Sequence, residues 1–269
     1  VSFRITRTSL LWDGDRYGFP WREAYAEVLY HGQQVVVVSP ECDDPCYRDL
    51  RRWAKVEPNL VVVDSEHLGD DIYKHGPAVM RAIEEHATGD FVFHFGSDEF
   101  VEVEPLLAWL KENDKFLTER HGAVTPPGVV MERLDFSYSS KLLTDLFAPR
   151  SNMYILQGVA RKWCPDPAYL TPGAGAFHGI DKHESLECPV PFWHYYGLLS
   201  NEQNADETRR LQLSDYKLAG AVRARDDDAW TSKRFKTNPR LSPPRPLTRS
   251  HPKIMWPWLS RAEMYWHGK

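Results

Sequence analysis

The chain has 269 residues, 42% of them hydrophobic and 26% charged, with a formal net charge of −5. That is an ordinary globular composition, long enough to bury the core of one large domain or of one domain with an appendage. Bulk charge excludes a general polyanion binder, and no apolar run approaches the ~20 residues that cross a bilayer, so neither a transmembrane segment nor a signal peptide is expected.

Ser2 to Thr6 alternates as a first strand that leaves through a polar loop, Arg7-Thr8-Ser9. Asp13 to Gly18 is turn chemistry, and Pro20 opens a helix whose Trp21, Ala24, Tyr25, Val28 and Leu29 form an apolar stripe. Val35 to Val38, four β-branched residues in a row, predicts a central strand running into Ser39-Pro40-Glu41-Cys42-Asp43-Asp44. Asp44 before Pro45 suits a helix N-cap, yet a carboxylate there also suits ribose hydroxyls or a base N–H, and both readings stand. Cys42 and Cys46 lack a matching second pair for zinc; with Cys164 and Cys188 they predict reduced thiols and a cytoplasmic location. Tyr47 to Lys55 reads as a helix and Leu60 to Val63 as a third strand, a succession that predicts a parallel sheet with right-handed crossovers. A loop from Glu66 to His75 carries Lys74.

Residues 76 to 99 organise the chain. Pro77 suits a first helical position, and Val79, Ala82, Ile83 and His86 share a helical face. Thr88-Gly89-Asp90 ends that helix, with Gly89 expected in the left-handed cap conformation. Phe91 to Phe95 is an apolar run suited to a strand covered on both faces, followed by Gly96, Ser97 and the adjacent carboxylates Asp98 and Glu99. The acids therefore fall at the carboxyl edge of a sheet, where open α/β sheets bind ligands.

Beyond them, Glu104-Pro105 starts a helix, residues 123–132 read as an edge or bent strand, 135–138 as a loop and 139–147 as a short helix. Residues 154–160 read as a strand, 161–189 as loop-rich and 201–225 as helical, and Phe192 to Gly197 sets His194 among aromatics. The tail from Ser232 is basic, with Glu263 as its only carboxylate-bearing side chain, and its prolines argue against regular structure. Its interleaved Trp256, Trp258, Tyr265 and Trp266 suit nucleic-acid contact, a membrane surface, or a strap that wraps the body and buries its tryptophans, the preferred reading.

Gly76, Arg81, Ala87, Gly89, Asp90, Asp98 and Glu99 fall without a gap on a pattern that resembles nucleotide-sugar glycosyltransferases of the GT-A type, family 2 above all. That family carries Gly-x-x-x-Ala-Arg-Asn, then Ala-x-Gly-Asp, an apolar strand, and Asp-x-Asp-Asp or Asp-x-Asp-Glu. Ala82 departs from the usual Asn, and Gly96 from the first Asp. The resemblance implies an α/β GT-A (Rossmann-like) fold, a mostly parallel central sheet flanked by helices. Its nucleotide-sugar-binding half would span 1–103, a loop-rich acceptor half 104–231, and a basic, Pro-rich C-terminal extension 232–269. The activity implied is metal-dependent transfer from a nucleotide diphosphate sugar, with a UDP-sugar expected, to an acceptor hydroxyl on a glycan or small molecule, with inversion. Thr6, Arg7, Asp43, Asp44, Lys74, Arg81 and Ser97 are then the nucleotide-sugar contacts. Asp98 and His194 are the ligands of Mn²⁺ or Mg²⁺, and Glu99, Asp181, Glu184 and Glu187 are candidates for the general base. Two alternatives remain: a DNA-modifying glycosyltransferase acting on a hydroxymethylated base, motivated by the tail, and a non-catalytic nucleotide-sugar-binding module, motivated by Gly96.

Overall fold

The computed structural model describes residues 4–39, 43–65, 78–79, 81–83, 85–114, 127–137, 139–144, 155–157, 181–195 and 245–267. Strands β1 (Ile5–Leu11), β2 (Gln33–Val38), β3 (Leu60–Asp64) and β4 (Phe91–His94) run parallel. Strand β8 (Ile155–Gln157) adds antiparallel to β4, giving the order β3-β2-β1-β4-β8. The expected α/β class with a mostly parallel central sheet is therefore present. Helix α1 (Trp21–His31) links β1 to β2, and α2 (Pro45–Ala54) links β2 to β3. Val35 to Val38 are all at 1% exposure or less, so β2 is the covered central strand that its β-branched run predicts. Residues 78–79, 81–83 and 85–86 are helical and lead into β4.

Two local expectations change. Arg7, Thr8 and Ser9 are not a loop but the middle of β1, held between β2 and β4. Polar side chains are tolerated there because each finds a partner: Thr8 Oγ1 lies 3.0 Å from His94 Nδ1, Ser9 donates to the Tyr25 hydroxyl at 2.7 Å, and Gln34 donates to Ser9 at 3.1 Å. Gly89 is needed for a different reason than the one expected. Among the described glycines only Gly18 has a positive φ. A Cβ on Gly89 would instead fall 2.5 Å from the Thr6 nitrogen, so the residue is small because the chain passes hard against β1.

The other described strands form a second sheet. It contains β5 (Glu99–Val101), β6 (Pro127–Ser137), β7 (Ser139–Thr144), β9 (Asp181–His194) and β10 (Arg245–Pro246), in the order β10-β7-β6-β9-β5. Residues 135–137 of the expected loop are the end of β6, residues 139–144 of the expected helix are β7, and residues 181–189 of the loop-rich stretch belong to β9, while 138 and 145–147 lie outside the described residues. Strand β7 has hydrogen-bonding partners on both edges, β6 and β10, and that pairing overrides a weak local helical pattern. Helix α3 (Val103–Glu112) covers this sheet through Leu106 and Leu110, both fully buried. The expected loop at 161–180 and helix at 201–225 lie outside the described residues.

The described part of the tail, 245–267, is more regular than its prolines suggest. A short 3₁₀ turn (Lys253–Met255) leads into helix α4 (Trp256–His267), where Pro257 is accommodated in the first turn. Met255, Trp258, Leu259 and Ala262 pack into the main core with Leu11, Trp21, Tyr25, Phe136 and Trp193. Trp258 also donates its indole N–H to the Gly18 carbonyl at 2.9 Å. Trp256 stays 54% exposed, so the strap reading describes Trp258 and not its neighbour.

Candidate active site

From β1 the chain steps to β2 and β3 on one side, then returns to place β4 on the other side of β1. Such a reversal opens a crevice at the carboxyl ends of the two strands beside it, here β1 and β4. The loop after β4 lies at that crevice. Ser97 donates its hydroxyl to the Leu10 carbonyl, pinning the loop to β1. The Glu99 amide donates to Gly96 O at 3.2 Å, and the Glu99 carboxylate accepts from Gly96 N–H at 2.6 Å. Asp98 thus stands on a turn closed by both the main chain and the side chain of Glu99.

Pairing of the second sheet completes the site. Strand β5 runs antiparallel to β9 with Glu99 opposite His194, and Tyr195 N–H donates to Asp98 O at 2.9 Å. His194 Nε2 comes to 3.1 Å from Asp98 Oδ2, with the two side chains 11% and 17% exposed. Burial by itself raises the Asp98 pKa, but the electrostatic attraction of His194, its hydrogen bond, the Asp98 backbone amide and Arg7 outweigh that and hold it below the ordinary carboxylate range.

Beneath the turn lies Arg7, at 1% exposure. One terminal guanidinium nitrogen donates to Gly96 O at 2.6 Å and to Glu99 O at 2.9 Å. The guanidinium carbon is 5.3 Å from the Tyr25 ring centroid and 5.9 Å from that of Phe95. Burial lowers the Arg7 pKa, opposed by Tyr25, Glu99 and Asp98. Burial pushes the Tyr25 hydroxyl up to about 12, against Arg7 and hydrogen bonds to Ser9 and Ser97. Tyr25, Ser9 and Gln34 therefore form a buried polar layer under the site. Sequence reading missed it, having assigned Tyr25 to an apolar stripe; the available signal was the run of polar residues inside an otherwise apolar β1.

At the Gly96 departure, a Cβ would fall 2.6 Å from Asp98 Oδ1 and 3.4 Å from Glu99 Oε2, so any larger side chain there requires the Asp98 carboxylate to shift from its place beside His194.

The remaining candidates disperse. Thr6 donates to Gln33 at 2.8 Å and accepts from Gly89 N–H at 2.9 Å, which spends its hydroxyl inside the fold. Asp44 is the N-cap of α2: its carboxylate accepts from Cys46 N–H at 2.8 Å, Arg16 N–H at 2.9 Å and Asp15 N–H at 3.2 Å. Arg7 and Ser97 likewise turn inward. Asp43 is exposed beyond the carboxyl end of β2, and Arg81 is exposed on the helical stretch before β4. Lys74 lies outside the described residues. Asp181 and Glu184 are on β9 but far from His194. Asp181 pairs with Pro127 and His194 with Asp135, a separation of about 26 Å along β6 at ordinary strand rise. Glu184 precedes Leu186, whose partner Val129 is about 20 Å from Asp135 by the same rise. Glu187 is exposed farther up the same strand. The sheet therefore does not bring Asp181, Glu184 or Glu187 to Asp98, because they lie upstream on the strand that delivers His194.

Asp98 and His194 fit a divalent cation in donor chemistry: one carboxylate oxygen and one imidazole nitrogen, adjacent and partly open, suit Mn²⁺ or Mg²⁺ completed by phosphate and water oxygens. Among the described residues no three His, Cys, Asp or Glu side chains are grouped to hold a metal by themselves. None of the described helices is long and apolar enough to cross a membrane.

A scan of protein-family models gives no match, and a comparison with curated proteins gives none either. Similar solved structures include the 1–349 fragment of S. aureus TarS in complex with UDP-GlcNAc, at 14% identity and TM-score 0.43, over 86% of this chain and 70% of that one. The same fragment in complex with UDP gives 14% identity and TM-score 0.45, over 86% and 69%. The mannosyltransferase PcManGT from Pyrobaculum calidifontis, in complex with GDP-Man and Mn²⁺, gives 14% identity and TM-score 0.46, over 99% and 70%. These likenesses are distant in sequence and loose in superposition.

Proposed function

We propose that the chain is a GT-A-type glycosyltransferase that moves a sugar from a nucleotide diphosphate sugar, with a UDP-sugar as the expected donor, to an acceptor hydroxyl. The observation that carries this reading is the Asp98–His194 pair, 3.1 Å apart on the loop edge at the strand-order reversal. Asp98 and His194 would hold Mn²⁺ or Mg²⁺, which when bound supplies charge compensation for a departing diphosphate. Asp43, exposed at the same sheet edge, is suited to accept from ribose hydroxyls or a base N–H. We assign Thr6, Arg7, Asp44 and Ser97 to the framework that shapes this edge, because each makes hydrogen bonds within the fold. Glu99 orients the Asp98 turn through the Gly96 amide. Inversion at the sugar carbon follows from the family 2 resemblance.

The test is release of nucleoside diphosphate from a panel of UDP- and GDP-sugars, with Mn²⁺ or EDTA, for wild type, Asp98→Asn and His194→Ala. Turnover of one sugar that needs the metal and falls by about 100-fold or more in Asp98→Asn is the expected result, the size typical of losing one electrostatic stabiliser. Donor binding without turnover across glycan, small-molecule and hydroxymethylated-DNA acceptors would mark a non-catalytic binding module. No binding of any nucleotide sugar would overturn the reading.

A further inference from the structure

We propose that Arg7 is the positioning residue of the cation site, its buried guanidinium fixing from below where Asp98 stands opposite His194. The inference rests on reading Asp98 and His194 as that site, and it assigns a part to a residue whose hydrogen bonds among the described residues go to the turn around Asp98.

A charge in the centre of a covered sheet is costly unless its donors are used. Ile5, Ser9 and Leu11 share the Arg7 face of β1 by its period of two, and a neutral side chain among them would meet the needs of packing without burying a charge. Arg7 instead sends one nitrogen to the carbonyls of both Gly96 and Glu99, the first and last residues of the turn that carries Asp98. The Tyr25 and Phe95 rings flank the guanidinium and limit where it can go. Among the described residues its Nε is a buried donor with no partner, so the placement satisfies the turn at some expense to the arginine itself. The turn in turn meets β9 through Tyr195 N–H and Asp98 O. Moving the Gly96 and Glu99 carbonyls would thus move the Asp98 backbone relative to His194.

Electrostatics and positioning predict opposite outcomes when Arg7 is neutralised. Removing a positive charge close to a cation site tightens cation binding if charge is all that matters. It weakens binding if Arg7 holds the ligand geometry.

The measurement is Mn²⁺ binding, with the metal alone as probe, read from the electron paramagnetic resonance of free aqueous Mn²⁺. Wild type, Arg7→Met, Arg7→Lys and Asp98→Asn are compared. Arg7→Met is expected to bind about tenfold more weakly, the factor for losing one charged hydrogen bond's worth of order. Arg7→Lys, which keeps one multiply donating nitrogen, recovers part of the loss. Equal or tighter binding by folded Arg7→Met overturns the inference. Should Arg7→Met not fold, wild type labelled with ¹⁵N-arginine decides: slowly exchanging, rotationally hindered Arg7 guanidinium protons are expected, and protons that exchange like those of free arginine overturn it. Asp98→Asn separates the two levels. If it binds Mn²⁺ like wild type, or wild type binds none, the cation-site reading fails and this inference with it. If only Arg7→Met behaves as wild type, the inference fails alone.

Discussion

Replacing Asp44 with alanine removes three hydrogen bonds at once and shows whether that carboxylate serves the fold or a ligand. It caps α2 at Cys46 N–H and also receives Asp15 N–H and Arg16 N–H, tying the loop after β1 to the start of α2. Loss of an N-cap costs about 1 kcal/mol. The Asp15 and Arg16 amides lie at a partly exposed and an exposed residue, so water can recover part of their loss and about 1 kcal/mol each is the fitting figure. The total is about 3 kcal/mol, which in a chain of this size lowers the melting temperature by about 6–9 °C. Asp44→Asn keeps the oxygen facing Cys46 and Asp15 or the one facing Arg16, not both, and should lose about half as much. Thermal and urea unfolding, followed by circular dichroism, measure this. A melting temperature for Asp44→Ala within about 2 °C of wild type, against the shift expected from capping loss, would refute the framework assignment. Lost nucleotide-sugar affinity in such a variant would return Asp44 to the donor site.

Three further outcomes follow from the same geometry. Gly96→Ala puts a Cβ 2.6 Å from Asp98 Oδ1, and Mn²⁺ affinity should fall about tenfold as the carboxylate is displaced from its place beside His194; Gly96→Asp should weaken it too, and tighter binding by Gly96→Asp would contradict this reasoning. For Asp15, burial raises the pKa, but hydrogen bonds from Arg22 and Trp21 and the Arg22 charge outweigh it and depress the pKa. A depressed carboxylate contributes stability that is present above its unfolded pKa and lost as pH falls through the folded value. Unfolding free energy followed into acid should therefore fall less steeply in Asp15→Asn than in wild type, and parallel curves would contradict the pairing. Burial pushes the Cys188 thiol up to about 11, against a hydrogen bond from the Val190 backbone, so it should remain unmodified by iodoacetamide in native protein at neutral pH and react after denaturation, as mass spectrometry would show.

The sequence by itself determined the elements whose signals are local. Four consecutive β-branched residues make β2, Asp44-Pro45 starts α2, and the apolar run before Asp98 puts that carboxylate at a sheet edge. Each rests on propensity or spacing within a few residues, which neighbours in the chain express directly. Only tertiary structure decided that His194 meets Asp98, since that contact depends on β5 pairing with β9 across the intervening chain. It also decided that Thr6, Arg7 and Ser97 face inward, because a strand's alternation separates two faces without saying what covers either. The same holds for β7, whose strand state comes from two neighbours, and for Gly96, whose missing side chain leaves room for a carboxylate two residues on. In each case the deciding energy is a hydrogen bond or a steric contact set by how the loop or sheet closes, and no short window of sequence contains it.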